Sequence, residues 1–381
     1  MAARAKKSPA KGARPSGRKS KPKVDSGVAF NQALSQKGFV KLLQFSDDDC
    51  LAHMKACCST GSIALDELLG NRGIPLGRIT EIYGNWHIGK TTVLNQLFAQ
   101  VQRNGGWACV FDTETAMSET YTVGLGVDPD KLSYAQFAQG QGSLENVCLT
   151  LLKSVRWWRD NDPDRMVLLG LDSLGGTPTA DELRAPLTSE ETGTGDSKIK
   201  KARQPGMAAR VMHAFRRQIP QELGNSNIGL IIVNHEYQSW AMGKTRRETF
   251  GGEAMRAAAS IRIKLFSVGH YFERNGITIG REIEADLVKD KIFGKTGGKA
   301  RFALLNNIGI DNTWTLFEEL KRKGVIVQGG AGWCAMNLDG EDLKFQGWSG
   351  FQKLCSKEVA EGQPSYFDRF WSVYRQIQGD G

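Results

Sequence analysis

The chain carries its most specific motif at Gly84-Asn85-Trp86-His87-Ile88-Gly89-Lys90-Thr91-Thr92. This stretch has the form G-x-x-x-x-G-K-T, the phosphate-binding loop of nucleotide hydrolases. Residues 78–83 before it favour a short strand, and residues 92–98 after it place apolar side chains at helical spacing. A strand, a glycine-bounded turn and a helix surround phosphate oxygens with backbone N–H groups and a helix N-terminus. The motif therefore predicts a bound nucleoside triphosphate, and a chance glycine loop is the weaker alternative.

Two residues of the motif and one later acid predict the Mg²⁺ that accompanies such a nucleotide. Lys90 is expected to reach the β- and γ-phosphates, and the Thr91 hydroxyl to ligate the metal. Residues 166–173 form an apolar run that closes on Asp172. An acid at the end of a buried strand is the usual companion of a phosphate loop, although many core strands also end in Asp. We expect Asp172 to hold the Mg²⁺ shell through water or through Thr91.

Strand and helix patterns alternate along the rest of the chain and predict the fold class. Strands are expected at 107–112, 166–173 and 229–235, with helices at 144–157 and 207–219 between them. Strand-like runs then recur at 260–266, 277–288 and 300–305. This order predicts an α/β fold: a P-loop core with a mainly parallel central sheet, a short N-terminal helical segment and a small C-terminal α+β domain.

Changes in composition divide the chain into four predicted parts. The expected domains are a disordered basic arm at 1–27, a helical segment at 28–58, an ATPase core at 59–324 and a small domain at 325–381. Within the core, two long polar and glycine-bearing loops are predicted at about 181–206 and 236–252. In the C-terminal part, helices are expected at 314–323, 348–358 and 366–376, and a turn-rich segment at 329–338.

The net charge of +9 is located almost entirely in the N-terminal arm. Residues 1–24 carry nine Lys and Arg and no acid, which leaves 41 basic against 41 acidic residues in the body. A basic arm that cannot bury apolar surface predicts contact with a polyanion such as DNA, and a solubilising tail is the alternative. No apolar run of about 18 residues is present, so no membrane span is expected. The N-terminus lacks the apolar core of a secretion signal, so a cytoplasmic protein is expected.

The seven cysteines are scattered and odd in number, which predicts free thiols. Cys50, His53, Cys57 and Cys58 lie close together, yet their spacing fits no zinc pattern well. Buried thiols on an amphipathic segment are the preferred interpretation of this group.

Taken together, these residues resemble the RecA-family recombinases, including phage UvsX-type members, over about residues 28–355. The most specific part is Ser59-Thr60-Gly61-Ser62-Ile63-Ala64-Leu65-Asp66 with residues 73–84, Gly-Ile-Pro-Leu-Gly-Arg-Ile-Thr-Glu-Ile-Tyr-Gly. Residues 125–128, 206–210 and 288–292 support it. The forms of residues 171–175 and 233–235 look more like the phage branch than bacterial RecA.

The resemblance implies roles for individual residues. Glu114 would be the catalytic acid that polarises the attacking water beside Lys90, and Tyr121 would stack on adenine. Asn234 and His235 would sense the γ-phosphate, with His235 standing where the family often has Gln. Lys289 and Lys291 would reach across an interface to a neighbour's triphosphate. The residues expected to contact DNA are Arg210, Arg217, Lys244, Arg246, Arg247, Gly251 and Gly252.

The implied function is an ATP-dependent recombinase that forms helical filaments on single-stranded DNA and exchanges strands with homologous duplex DNA. Residues 28–58 would dock onto the next subunit, and single-strand-binding or mediator proteins are possible partners. ATP and Mg²⁺ are the implied cofactors, with DNA-stimulated hydrolysis. Two alternatives stay open: a hexameric helicase motor on the same core, and a recombination mediator that does not hydrolyse nucleotide.

Overall fold

The phosphate loop joins a buried strand to a long helix at the centre of a large sheet. The computed structural model describes residues 41–379 except 42, 44, 185–205, 242, 243 and 296. A compact unit begins at Leu51 and contains every element named below.

Its strands are β1 Cys57–Cys58, β2 Ile74–Pro75, β3 Ile79–Gly84, β4 Trp107–Asp112, β5 Leu132–Tyr134, β6 Val167–Asp172, β7 Ile228–Ala241, β8 Lys244–Thr249, β9 Ile261–Arg274, β10 Ile277–Asp290, β11 Lys299–Leu305, β12 Gly309–Asp311, β13 Val327–Gln328, β14 Trp333–Leu338 and β15 Glu341–Gln346. Its helices are α1 Ile63–Leu68, α2 Lys90–Arg103, α3 Glu119–Gly124, α4 Leu144–Asn161, α5 Ala180–Arg184, α6 Met207–Leu223, α7 Gly252–Ala258, α8 Asn312–Arg322, α9 Gly347–Cys355 and α10 Tyr366–Gln378. None of these helices is both long enough and apolar enough to cross a membrane.

Ten of the described strands form one central sheet, which confirms the predicted α/β fold class. The order is β12-β11-β10-β9-β3-β7-β6-β4-β5, and β8 pairs with β7. Strand pairs from β9 through β3, β7, β6 and β4 to β5 are parallel, whereas β9 to β12 are joined antiparallel. β3 and β6 are buried along their whole length because helices cover both faces of the parallel part.

Side chains of the parallel strands alternate between two apolar clusters. Ile82 and Leu168 pack with Leu94 and Phe98 of α2 on one face of the sheet. The alternate residues of the strands pack against α4 and α6 on the opposite face. Gly170 allows α2 to approach β6, because a Cβ there would lie 2.6 Å from the Phe98 ring. This packing fixes α2, and with it the phosphate loop, against the sheet.

The C-terminal part forms a three-stranded antiparallel sheet of β13, β14 and β15 with α9 and α10. Phe345, Phe351 and Phe370 lie in its core, and Phe317 of α8 lies in the same cluster. The apolar core of this region therefore draws on a helix that precedes residue 325, and the domain boundaries stay a prediction. The turn-rich segment predicted at 329–338 was wrong over its second half, which is β14.

The second predicted polar loop is largely a β-hairpin, so the interpretation of 236–252 as a loop was wrong. β7 continues past residue 235 and pairs with β8 from Glu236↔Thr249 to Ala241↔Lys244, after which α7 begins at Gly252. Polar residues form strands here because side chains on the two strands interact favourably. The guanidinium of Arg247 on β8, for example, lies 3.5 Å from the carboxylate of Glu236 on β7. Met242 and Gly243, between β7 and β8 in the chain, lie outside the described residues.

The first predicted loop begins later than expected, because residues 180–184 form the short helix α5, stabilised at its start by Thr179 and Glu182. Residues 185–205 lie outside the described part of the chain. So do the basic arm and most of the predicted helical segment at 28–58. The described residues of that segment, 41, 43 and 45–58, contain turns and the strand β1 and no helix, so the prediction was wrong there. α4 and α6 each run four residues beyond their predicted ends. All seven cysteines are free, as predicted.

Candidate active site

The phosphate loop runs from the end of β3 to the first turn of α2. Gly89 caps α2 with φ 93° and no side-chain hydrogen bond, so the first N–H groups of the helix have no side-chain cap. A side chain could not replace this glycine, since a Cβ would lie 2.2 Å from Leu304. Ile88 lies in the apolar core and His87 is exposed. The loop thus presents backbone N–H groups and a helix N-terminus, the arrangement that binds phosphate oxygens.

Lys90 lies folded over this loop. Its Nζ donates to the carbonyl oxygen of Asn85 at 2.7 Å and lies 3.4 Å from that of Gly84. Burial lowers its pKa to about 8, while Asp172 and Glu114 oppose that shift. The neighbouring carboxylates therefore do not offset the burial of the Lys90 ammonium. Phosphate oxygens bound at the loop would provide further negative charge beside it.

Thr91 and Asp172 meet beside the loop as the sequence predicted. The Thr91 hydroxyl donates to Oδ2 of Asp172 at 2.6 Å. Burial raises the pKa of Asp172 to about 6, and the nearby carboxylates of Glu114 and Asp112 act in the same direction. A hydroxyl and a carboxylate are hard oxygen ligands, and the surrounding acids favour a cation, so these residues fit Mg²⁺.

Glu114 lies two residues beyond β4, where side chains from two neighbouring strands contact its Oε1. The Ser173 hydroxyl donates to this oxygen, and Nε2 of His235 lies 3.1 Å from it. The Glu114 side chain is 28% exposed, so solvent reaches the carboxylate that these groups orient. A carboxylate held in place and open to water beside a phosphate loop is suited to polarise an attacking water molecule.

The segment that carries Glu114 is shaped by Asp112, to which the sequence had assigned no role. Asp112 accepts hydrogen bonds from the N–H of Met117 at 3.0 Å and of Ala116 at 3.3 Å. It also accepts one from the Tyr134 hydroxyl at 3.0 Å. The only sequence signal for this role was an acid at the end of an apolar strand.

His235 is buried between Glu114 and the indole of Trp86. The Trp86 and His235 rings are stacked with centroids 3.8 Å apart and planes at 19°. Burial lowers the pKa of His235, Lys90 acts in the same direction, and Glu114 opposes them. Nδ1 of His235 is buried, and no described residue hydrogen-bonds to it.

Asn234 lies apart from its sequence neighbour, because adjacent strand residues face opposite sides of a sheet. It is fully buried, and its Nδ2 donates to Oε1 of Glu81 at 2.8 Å and to the carbonyl oxygen of Phe250 at 2.9 Å. Glu81 also forms a buried ion pair with Arg262. Asn234 thus contacts the end of the β7–β8 hairpin rather than the phosphate loop. A charged residue inside the apolar strand β3 was the one signal for this network.

Tyr121 of α3 lies beside the start of α2. Its hydroxyl is 2.8 Å from the hydroxyl of Thr92, and the ring is partly exposed. This position is compatible with the predicted contact to a nucleobase, which stays a prediction.

Lys289 lies at the end of β10, and Lys291 follows Asp290, the last residue of that strand; the two lysines lie close enough to interact. Asp290 is buried and accepts from the N–H groups of Ile292, Phe293 and Lys295 at 2.7, 2.9 and 3.1 Å. Lys289 donates to the carbonyl oxygen of Arg256. Burial lowers its pKa to about 8, and Lys291 acts in the same direction. Among the described residues, neither lysine joins the cluster around Lys90.

The residues predicted to contact DNA lie on α6 and around the β7–β8 hairpin. Arg210 and Arg217 are exposed on α6, two helical turns apart. Gly251 and Gly252 have φ of 79° and 53° between β8 and α7, and Arg247 is exposed. The side chains of Lys244 and Arg246 lie outside the described part of the structure.

Comparisons with known proteins agree on one family. Residues 29–157 match a family model described as the RecA N-terminal domain. "Protein RecA" of Sinorhizobium fredii is 30% identical over 319 residues, which cover 82% of this chain and 81% of that protein. "Protein RecA" of Chelativorans sp. and of Brucella abortus are each 29% identical over the same length. The likeness therefore extends far beyond the phosphate loop.

Proposed function

The chain belongs to the RecA family of recombinases, which act in DNA recombination and repair, and we propose that it is an ATP-dependent strand-exchange protein. It would form helical filaments on single-stranded DNA and pair that strand with homologous duplex DNA, hydrolysing ATP as it does so. The observation that carries the proposal is the Glu114 carboxylate, oriented by Ser173 and His235 beside Lys90, Thr91 and Asp172.

Each of these side chains would have a separate role in hydrolysis. Lys90 and the N–H groups of α2 would bind the phosphates and stabilise the charge that develops on them. Thr91 and Asp172 would hold Mg²⁺, which neutralises charge on the β- and γ-oxygens when bound. Glu114 would orient a water molecule towards the γ-phosphorus and take its proton. An intact set of this kind argues against a mediator that binds nucleotide without turnover.

His235 connects this chemistry to the proposed DNA-binding hairpin. It lies on β7, which continues directly into the pairing with β8, and its Nε2 contacts Glu114. Loss of the γ-phosphate would change the surroundings of Glu114 and His235. Because His235 lies on the same strand as the hairpin, this change would shift the hairpin between an ordered and a disordered state.

Assembly would complete the site. Lys289 and Lys291 would contact the triphosphate of the neighbouring subunit, and a head-to-tail interface that does not close produces a helical filament. Residues 28–58 would dock on the adjacent subunit. The basic arm at 1–24 would hold DNA through its phosphates, which makes binding dependent on salt. The forms of residues 171–175 and 233–235 support a phage UvsX-type member.

The test measures ATP hydrolysis with and without single-stranded DNA, followed by strand exchange between a circular single strand and a homologous linear duplex. We expect single-stranded DNA to stimulate hydrolysis and joint molecules to form only when ATP is present. The proposal would be contradicted by a hydrolysis rate that is the same with and without DNA. Closed rings instead of helical filaments in electron micrographs would also contradict it and would favour the helicase alternative.

A further inference from the structure

Trp86, the third residue of the phosphate loop, lies against the buried sensor histidine rather than against its own loop. Its indole is 61% exposed, whereas His235 is only 6% exposed. The two rings stack with centroids 3.8 Å apart and planes at 19°, which is a favourable geometry for flat aromatic groups. One face of the indole thus covers the imidazole, and the contact joins the loop after β3 to the middle of β7.

Only one of the two ring nitrogens of His235 has a hydrogen-bond partner among the described residues. Nε2 of His235 lies 3.1 Å from Oε1 of Glu114, which restrains one edge of the ring. Nδ1 on the other side is buried, and no group among the described residues hydrogen-bonds to it. The stacked indole therefore adds a restraint on rotation of the ring about its Glu114 contact.

We propose that Trp86 is a positioning residue for hydrolysis: its indole holds the imidazole of His235 so that Nε2 stays on Glu114. The stack also places the phosphate loop in direct contact with β7, the strand that continues into the β7–β8 hairpin. This inference rests on the proposed hydrolytic function, because it assigns Glu114 to the water-activating role.

The competing explanation is that Trp86 only covers the loop with apolar surface. Two substitutions separate these roles, since Trp86→Phe keeps a flat ring that can stack and Trp86→Leu keeps apolar cover without a ring. A positioning role predicts that Leu lowers kcat about 3- to 10-fold and that Phe stays within about 2-fold of the parent. Nucleotide affinity, measured by equilibrium dialysis with a non-hydrolysable ATP analogue, should stay within about 2-fold in both.

Equal kcat in the Leu, Phe and parent proteins would overturn the inference. Equal loss in both variants, or a loss confined to nucleotide affinity, would overturn it as well. Failure of the proposed function is a separate result, because then the parent protein itself would not hydrolyse ATP in the presence of DNA.

A spectroscopic measurement tests the stack without any reference to activity. Subtracting the emission of Trp86→Phe from that of the parent isolates the fluorescence of Trp86. An imidazolium in contact with an excited indole accepts an electron from it and quenches its emission. The Trp86 signal should therefore fall as the pH is lowered below about 6.5, the ordinary pKa of histidine, and most of this fall should disappear in a His235→Gln background.

The charged and titratable groups around His235 are Lys90 from α2, Glu114 after β4 and His87 in the loop. His87 is retained in the His235→Gln background, so its contribution is subtracted. Trp333, which is 53% exposed on β14, provides the control, since its emission should not depend on His235. A Trp86 signal whose pH dependence is the same with and without His235 would overturn the proposed stack.

Discussion

In the proposed mechanism Glu114 and Lys90 serve different steps, and single substitutions should separate them. Glu114→Gln keeps the shape of the side chain but removes the base, so hydrolysis should fall about 10²- to 10⁴-fold while nucleotide binding is retained. Lys90→Ala should lose both, because the phosphates lose their main charge partner. Phosphate release and nucleotide-binding assays on both variants measure these effects. The control is Glu119→Gln, an exposed acid on α3, and hydrolysis by Glu114→Gln at the parent rate would rule out the assignment.

His235 should make the stability of the protein depend on pH. Burial lowers its pKa in the folded chain, so the unfolded chain binds the proton more tightly. The free energy of unfolding should therefore decrease as pH falls below about 6.5, the ordinary pKa of histidine. His235→Gln removes this term, so its Tm relative to the parent should rise as pH falls from 8 to 5. Thermal unfolding at several pH values measures the difference.

The matching control for that experiment is His213→Gln, because His213 is exposed on α6. Its Tm should follow the parent across the same pH range. A His235→Gln variant that also follows the parent would show that the histidine does not carry the pH dependence.

At the level of elements, a buried polar network joins β3, β7 and β9. Glu81 is fully buried, pairs with Arg262 and accepts a hydrogen bond from Asn234, and Arg262 also donates to Thr249 at the end of β8. Glu81→Gln would leave the Arg262 guanidinium buried without a carboxylate, which costs about 3–5 kcal/mol of the free energy of unfolding. Denaturant titration measures this loss, and adding Arg262→Met should recover part of it.

The control for this measurement is an exposed ion pair. Arg156 on α4 and Glu222 on α6 lie 2.7 Å apart. Glu222→Gln should change the free energy of unfolding far less, because water screens the pair. A loss as small as this in Glu81→Gln would mean that the buried pair does not hold the three strands together.

At the level of the whole molecule, Lys289 and Lys291 test whether the site is shared between subunits. The two ammoniums lie close enough to repel each other, so a polyanion bound between them would stabilise the pair. Lys289→Ala/Lys291→Ala should bind nucleotide and lose DNA-stimulated hydrolysis. Mixing it with Lys90→Ala should restore some activity, because some interfaces then pair an intact phosphate loop with intact lysines.

The control for this experiment mixes Lys90→Ala with Glu114→Gln. Both residues lie on the same side of the proposed interface, so no interface in such filaments is complete and activity should stay low. Absence of recovery at any ratio of the lysine variant to Lys90→Ala, in filaments that contain both proteins, would rule out the shared site.

From the sequence alone follow the phosphate loop, the alternation of strands and helices, and the positions of Asp172 and Glu114 at or just beyond strand ends. Each depends on local chemistry: glycines bound a loop, apolar residues repeat with the period of a strand or helix, and parallel strands end at one edge. His235, which was predicted at a strand end, lies within β7. β4 has the limits that its apolar run predicted. These features need only neighbours in the chain, so the chain order is enough to predict them.

The tertiary structure alone decided the contacts between those elements. Asn234 and Glu81 are 153 positions apart in the chain, and their hydrogen bond depends on β3 and β7 being neighbours in the sheet. The Trp86–His235 stack arises from the same pairing, and the β7–β8 hairpin was missed because its polar strands are stabilised by each other. Strand order and cross-strand partners are set by packing of the whole chain, and residue periodicity carries no information about them.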